Sequence, residues 1–192
     1  MCHFIESIRV QNGEMPLLDL HQMRLNRTME HHGSASFDLK DSIDVPLGAR
    51  KGIYKCRVTY STQGLVRTEF IEYKKRRVVS ISPVNIGDRV YSFKYGQRNW
   101  IEELLKQSGT DEIMMCQNGR ITDASYANLV FFDGTRWITP AEPLLKGVRR
   151  HQLLLDQVIV EEDLRLEDLC RFSHVKLINA MMTWEESPVL TL

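Results

Sequence analysis

Four groups of residues in this sequence of 192 could do chemistry. Lys94 stands in Phe93-Lys94-Tyr95-Gly96-Gln97-Arg98, between an apolar strand end (Val90, Tyr91, Phe93) and a helix. A lysine held among apolar neighbours gives up its proton more easily, because burial penalises the charged form. Such an amine can form a Schiff base with a carbonyl or act as a base. Leu144-Leu145-Lys146-Gly147-Val148-Arg149-Arg150 opens a second helix. Backbone N–H groups at a helix start, with glycine allowing close approach, suit a phosphate. In Ile121-Thr122-Asp123-Ala124-Ser125-Tyr126-Ala127-Asn128-Leu129, an acid precedes small residues between two strands. Its carboxylate could hold a protonated heterocycle nitrogen through a charge-assisted hydrogen bond. His21 and Arg24 stand at i and i+3, on one helix face, and arginine suits phosphate. Each pattern also has an ordinary reading: a surface lysine, a plain loop-to-helix start, a turn rich in Asp, Ser and Asn, and a solvated helix face.

The elements that must carry these residues are a mixture of helices and hairpins. Leu17, Leu20, Met23 and Met29 give roughly helical spacing over Met15–Gly33, with Gly33 as the stop. Ser34–Lys51 is polar, is broken by Pro46 and Gly48, and reads as a loop with room for a short helix. Ile53–Ser61 alternates, with Tyr54, Cys56, Val58 and Tyr60 on one side and Lys55, Arg57 and Thr59 on the other, as in a half-buried strand. Gly64 marks a turn, and strand-like sequence continues over Val66–Val84. Gln97–Ser108 reads as a helix with Trp100, Ile101, Leu104 and Leu105 on one face. Asn118-Gly119 and Asp133-Gly134 are hairpin turn signals. Gly147–Val158 reads as a helix and Val175–Ala180 as an apolar strand. The order lacks strict βαβα alternation, so the fold class is α+β. Two lobes are expected: a small α+β lobe over residues 1–86 and a larger α/β lobe over 87–192, the latter carrying Lys94 and the phosphate-binding helix start.

Composition narrows the field. Hydrophobic residues make up 43% and charged residues 26%, as in an ordinary globular chain. Lys plus Arg is 25 and Asp plus Glu is 25, a balance that argues against nucleic-acid binding. The run Lys74-Lys75-Arg76-Arg77 reads as a solvated strand end. No apolar run reaches the ~20 residues of a membrane span, and Met1–Glu6 does not read as a signal peptide. Cys2, Cys56, Cys116 and Cys170 form no CxxC pair. A reduced, cytoplasmic protein is expected, without a metal site.

Taken in order, these residues resemble the class IV aminotransferase family, the fold-type IV pyridoxal-phosphate (PLP) enzymes. The family includes branched-chain and D-amino acid aminotransferases and 4-amino-4-deoxychorismate lyases. The resemblance runs from about Ile5 to Val189. It rests on Glu6-Ser7-Ile8-Arg9 before an Asn12-Gly13 turn, His21-x-x-Arg24-Leu25, Lys94, Ile121-Thr122-Asp123 with Asn128-Leu129-Val130-Phe131, Gly147-Val148-x-Arg150, and Ser187-Pro188-Val189. It implies the two-lobed D-amino acid aminotransferase-like fold without the usual N-terminal hairpin.

Residue by residue, the resemblance makes Lys94 the Schiff-base lysine and general base. Arg24 becomes the phosphate arginine, and Gly147 and Val148 the backbone cap on that phosphate. Asp123 becomes the partner of the pyridine nitrogen, where the family usually has Glu. Arg149 stands where Thr is frequent. Asn179 and Ala180 lie near phosphate or substrate, and Arg98, Tyr126 and Met181 are the substrate candidates. Substrate-carboxylate arginines often come from the N-terminal hairpin and from the segment between the Ile53 and Val78 strands, which is short here.

Lys94-x-x-x-Arg98 and Asn179-Ala180-Met181-Met182 resemble the lyase branch, which releases pyruvate and p-aminobenzoate in folate biosynthesis. A branched-chain or D-amino acid type aminotransferase is the alternative, and a non-catalytic PLP-fold ligand-binding protein is a second one. The resemblance also implies a homodimer acting on a small molecule.

Overall fold

The computed structural model describes residues 3–192, so Met1 and Cys2 lie outside the account. The chain forms two compact units. One runs from the N-terminus to Lys75 and takes in Phe93–Gln97; the other comprises 76–92 and 98–192.

The first unit is an antiparallel three-stranded sheet, β1 (Phe4–Gln11), β2 (Ile53–Ser61) and β3 (Gly64–Glu72), with helix α1 (Leu18–His31) and the short helix α2 (Leu39–Ser42). The alternation read from β2 is borne out. Cys56, Val58 and Tyr60 are buried, together with Phe4, Ile8 and Val10 of β1 and Leu25 and Met29 of α1. The register pairs Glu6 with Val58 and Ile8 with Cys56. Side chains on a strand alternate, so Glu6 shares the helix-facing side while Ile5, Arg57 and Thr59 occupy the other. The α1 pattern is rotated from its expected position: Met23 is exposed, and the buried residues are His21, Leu25, Thr28 and Met29. The buried face therefore runs through a histidine that a purely apolar count passes over.

The second unit holds an eight-stranded mixed sheet. Its main path is β11-β10-β7-β6-β5-β4, with β8 beside β7 and β9 beside β8. The strands are β4 (Ile81–Asn85), β5 (Glu112–Gln117), β6 (Arg120–Ala124), β7 (Asn128–Phe132), β8 (Trp137–Pro140), β9 (Val160–Glu162), β10 (His174–Ile178) and β11 (Val189–Thr191). Helices α3 (Asn99–Ser108) and α4 (Val148–Leu155) complete it. Asn118 and Gly119 both take positive φ in the two-residue turn joining β5 to β6, as the Asn-Gly signal requires. Gly109 ends α3 in the left-handed conformation.

The strand-like run Val66–Val84 is two strands belonging to different units. β3 ends at Glu72, and β4 pairs in parallel with β5. The division thus falls at 75/76 rather than the expected 86/87. Phe93–Gln97 returns to the first unit because its backbone bonds to β1. Ile5 N–H donates to the Lys94 carbonyl (2.9 Å), and Gly96 N–H to the His3 carbonyl (2.8 Å). Lys94 accordingly belongs with Arg24, not with the larger unit.

Candidate active site

In the first unit, Glu6 is the organising group. It is fully buried on β1. Arg24 Nε donates to its Oε1 at 2.9 Å and Arg24 Nη2 donates to Oε2. His21 Nδ1 lies 2.5 Å from the same Oε2. Burial by itself would raise the Glu6 pKa. The Arg24 charge and the hydrogen bonds from His21 and Arg24 outweigh it and hold the carboxyl well below the usual range. His21 is pushed down, by its burial first, against the hydrogen bond and charge of Glu6. The Arg24 and Lys94 charges add to that lowering, so Lys94 is electrostatically part of this cluster.

On the opposite face of the same sheet is a cavity of about 330 Å³ lined by His3, Ile5, Arg57, Thr59, Arg67 and the Tyr95–Gln97 segment. That size suits a small ligand. Arg57 Nε and Thr59 Oγ1 are buried there without a hydrogen-bond partner in the protein, while Arg67 pairs with Glu69 at 2.9 Å. The buried unmatched donor of Arg57 suits an anionic or carbonyl acceptor in this cavity. Arg57 and Arg67 are not among the substrate candidates Arg98, Tyr126 and Met181 named from the sequence. The signal was present in the β2 alternation, which already set Arg57 and Thr59 on the second face.

In the second unit, Asp123 is buried. Its Oδ1 accepts from Asn128 Nδ2 (2.6 Å) and its Oδ2 from the Leu145 N–H (2.8 Å). Burial pushes its pKa up to about 7, against those hydrogen bonds and the Arg150 charge. Arg150 itself is committed to Glu161 and the Pro140 carbonyl. Asn128 also donates to the Leu145 carbonyl (2.8 Å), so one carboxamide ties Asp123 to the segment leading into α4. A Cβ on Gly147 would sit 2.0 Å from Asn128 Oδ1, so this close approach demands glycine. Gly147 is the N-cap of α4 and supplies no side-chain cap. The first-turn N–H groups of α4 are therefore not bound by a capping side chain, which suits an anion.

Arg149, in the first turn of α4, donates to Gln152 at 2.7 Å. The Ser125–Tyr126 turn is anchored by Glu112, a buried carboxylate on β5 that the sequence reading did not single out. It accepts from Ser125 N–H (2.8 Å) and Oγ (2.9 Å), and pairs with Arg76 at 3.2 Å. Arg76 also covers the Tyr126 ring. Arg98 donates to the Ser125 carbonyl (3.1 Å), and Asn179 accepts from the Met181 N–H (2.9 Å). Met181 is buried and Ala180 half-buried.

A buried carboxylate lacking a committed cation fits a protonated ring nitrogen, and an uncapped helix start fits a phosphate. These are the groups PLP would present. Residues 53–186 match the family described as amino-transferase class IV. The chain belongs to that family. Membership makes it an enzyme of the PLP-dependent lyase or aminotransferase kind. An uncharacterised protein of Haemophilus influenzae is 35% identical over 186 residues, covering 94% of this chain and 98% of that one. Among solved structures, a proposed 4-amino-4-deoxychorismate lyase from Haemophilus somnus superposes with a TM-score of 0.87 at 31% identity, covering 94% and 97% of the two chains. A proposed amino-acid aminotransferase from Mesorhizobium loti superposes at 0.84 with 19% identity over the whole of both chains, a likeness of fold.

Proposed function

We propose that this class IV aminotransferase relative is a 4-amino-4-deoxychorismate lyase, releasing pyruvate and p-aminobenzoate. The observation that carries the reading over an aminotransferase is the likeness, at 31% identity, to the proposed lyase of Haemophilus somnus; Lys94 and the Arg57–Arg67 cavity also belong to one unit. The three residues after the lysine form part of the cavity wall. An amine able to bond a carbonyl is thus followed directly by a cavity suited to a carboxylate, and the substrate carries one amine and two carboxylates. Likeness to the Haemophilus somnus protein supports the lyase, as do Lys94-x-x-x-Arg98 and Asn179-Ala180-Met181-Met182.

Bound PLP supplies an electron sink for the bonds at the amine-bearing carbon. By the family resemblance, Arg24 of the first unit would be a phosphate residue, and the N–H groups of Gly147 and Val148, with the Arg149 cation next in sequence, would be the phosphate cap of the second. Asp123 keeps a proton on the ring nitrogen, whose positive charge in turn makes the buried carboxylate less costly. Lys94 would anchor the cofactor and, once freed from it, would take the proton from the substrate carbon bearing nitrogen. Breaking the ether bond to the enolpyruvyl group aromatises the ring, and the leaving enol takes up a proton to become pyruvate. Asn179 and Ala180 sit beside phosphate or substrate, and Arg98, Tyr126 and Met181 shape the substrate end.

The second reading, an amino-acid aminotransferase, rests on the same pairing of Lys94 with the cavity, which serves an α-carboxylate equally well. The proposal includes a cytoplasmic homodimer, checked by light scattering. The deciding experiment gives PLP-loaded protein enzymatically made aminodeoxychorismate and follows both products. Stoichiometric pyruvate and p-aminobenzoate, abolished in Lys94→Ala, support the lyase. No release from cofactor-loaded protein refutes it and turns the test to amino-acid and keto-acid pairs.

A further inference from the structure

We infer that Glu112 is a positioning residue for the substrate end: with Arg98 and Asn179 it holds the Ser125–Tyr126 tip of the β6–β7 hairpin in one turn, and so fixes where the Tyr126 ring stands. The inference rests on the proposed reading of Tyr126 as a substrate residue, and Arg98 and Asn179 then act through the tip.

Its basis is a contrast between two turns of one sheet. The β5–β6 turn closes on Asn118 and Gly119, both at positive φ. Turns of that kind match the twist of the strands they join. The β6–β7 hairpin also has two residues at its tip. Ala124 N–H donates to the Ala127 carbonyl at 2.9 Å, and Ser125 and Tyr126 lie between them. Neither takes a positive φ, so this tip lacks the local geometry that suits a hairpin. Side chains from elsewhere in the same unit hold it instead. Glu112 of β5 accepts from Ser125 N–H (2.8 Å) and from Ser125 Oγ (2.9 Å). Arg98, the N-cap of α3, donates to the Ser125 carbonyl at 3.1 Å. Asn179, just after β10, donates to the Tyr126 carbonyl at 3.5 Å. Glu112 also governs the ring. It pairs with Arg76 at 3.2 Å, and the Arg76 guanidinium lies over the Tyr126 ring, 5.4 Å from its centre. Both oxygens of this fully buried carboxylate are in double use. Oε1 serves the Ile113 and Ser125 N–H groups, and Oε2 serves Ser125 Oγ and Arg76. A carboxamide offers one acceptor oxygen in place of two, so Gln cannot make the same set of bonds.

A structural prop and a positioning residue predict different readouts. A prop lowers stability and leaves substrate binding alone. A positioning residue moves KM, and moves it only where the Tyr126 ring is present. The assay uses PLP-loaded protein and enzymatically made aminodeoxychorismate; if wild type releases no product from it, amino-acid and keto-acid pairs take its place. Glu112→Gln raises KM by about tenfold with little change in kcat. In a Tyr126→Ala background the same substitution raises KM no further. Ser125→Ala, which loses one of the two bonds to Glu112, raises KM by about threefold. It replaces Glu112→Gln in both backgrounds if that variant fails to fold. In cofactor-free protein, hydrogen exchange at the Ser125 amide quickens by about tenfold in Glu112→Gln. Equal KM rises in the two backgrounds overturn the positioning role alone, as does a lowered melting temperature with KM unmoved. A KM unchanged by Tyr126→Ala removes the substrate reading of Tyr126 and this inference with it. Wild-type protein that turns over neither kind of substrate refutes the proposed function, and the inference falls with that reading.

Discussion

Asp123→Asn in the cofactor-free protein should change how stability depends on pH. Burial raises the Asp123 pKa from 3.8 to about 7. For an acid raised in this way, the stabilising contribution is complete below the unfolded pKa and is lost as pH rises through the folded one. At about 1.4 kcal/mol per unit, the loss between pH 5 and pH 8 comes to roughly 2–3 kcal/mol. The amide has no such titration and escapes it. It carries a different cost, because its NH2 meets the Asn128 NH2 or the Leu145 N–H in place of an acceptor. That mismatch, about 1–3 kcal/mol, applies equally at both pH values and cancels in the difference. The assay is urea unfolding of both proteins at pH 5 and pH 8. Relative to wild type, Asp123→Asn should gain roughly 2–3 kcal/mol on going to pH 8. Parallel pH dependence in the two proteins would refute the claim that the carboxylate is buried without adequate compensation, and with it the physical reason for pairing it with a ring nitrogen.

Three further outcomes are expected. Lys94→Ala should lose the visible absorbance of bound cofactor and lower kcat by about a thousandfold or more, read by spectrophotometry and product release. Arg57→Gln should raise KM for a carboxylate substrate by about tenfold with little change in kcat. Its melting temperature should hold, because the Arg57 Nε makes no hydrogen bond that folding depends on. Gly147→Ala drives its methyl into Asn128 and should cost about 1–3 kcal/mol. Calorimetry would show that loss, and weaker PLP binding should accompany it as Asn128 leaves Asp123.

Local signals in the sequence were legible wherever one short-range rule dominated. The β2 alternation, the Asn118-Gly119 turn and the Gly109 stop of α3 each depend on neighbours a few residues away. What local rules could not supply was the partner of each strand. Val66–Val84 is uniformly strand-like, yet β3 closes one sheet and β4 joins another through parallel pairing with β5. Periodicity carries no information on that choice. Lys94 was assigned to the larger lobe for the same reason. Its attachment to β1 is made by backbone groups, to which side-chain identity gives no clue.

Residue types with obvious chemistry can be picked out in the sequence, but the groups that hold them cannot. Among the described residues three carboxylates are buried, Glu6, Glu112 and Asp123, and their surroundings differ in kind. Glu6 has a two-point arginine and a histidine. Glu112 has an arginine, a hydroxyl and two backbone N–H groups. Asp123 has one carboxamide and the backbone N–H groups of Leu145 and, more weakly, Leu144, and the arginine whose charge reaches it is bonded to Glu161. Burying an ionised acid is tolerable when a cation and enough donors replace water. Two of the three meet that condition from the protein's own atoms. The third does not, so it stays protonated up to about pH 7, and on the proposed reading a protonated pyridine would supply the missing cation.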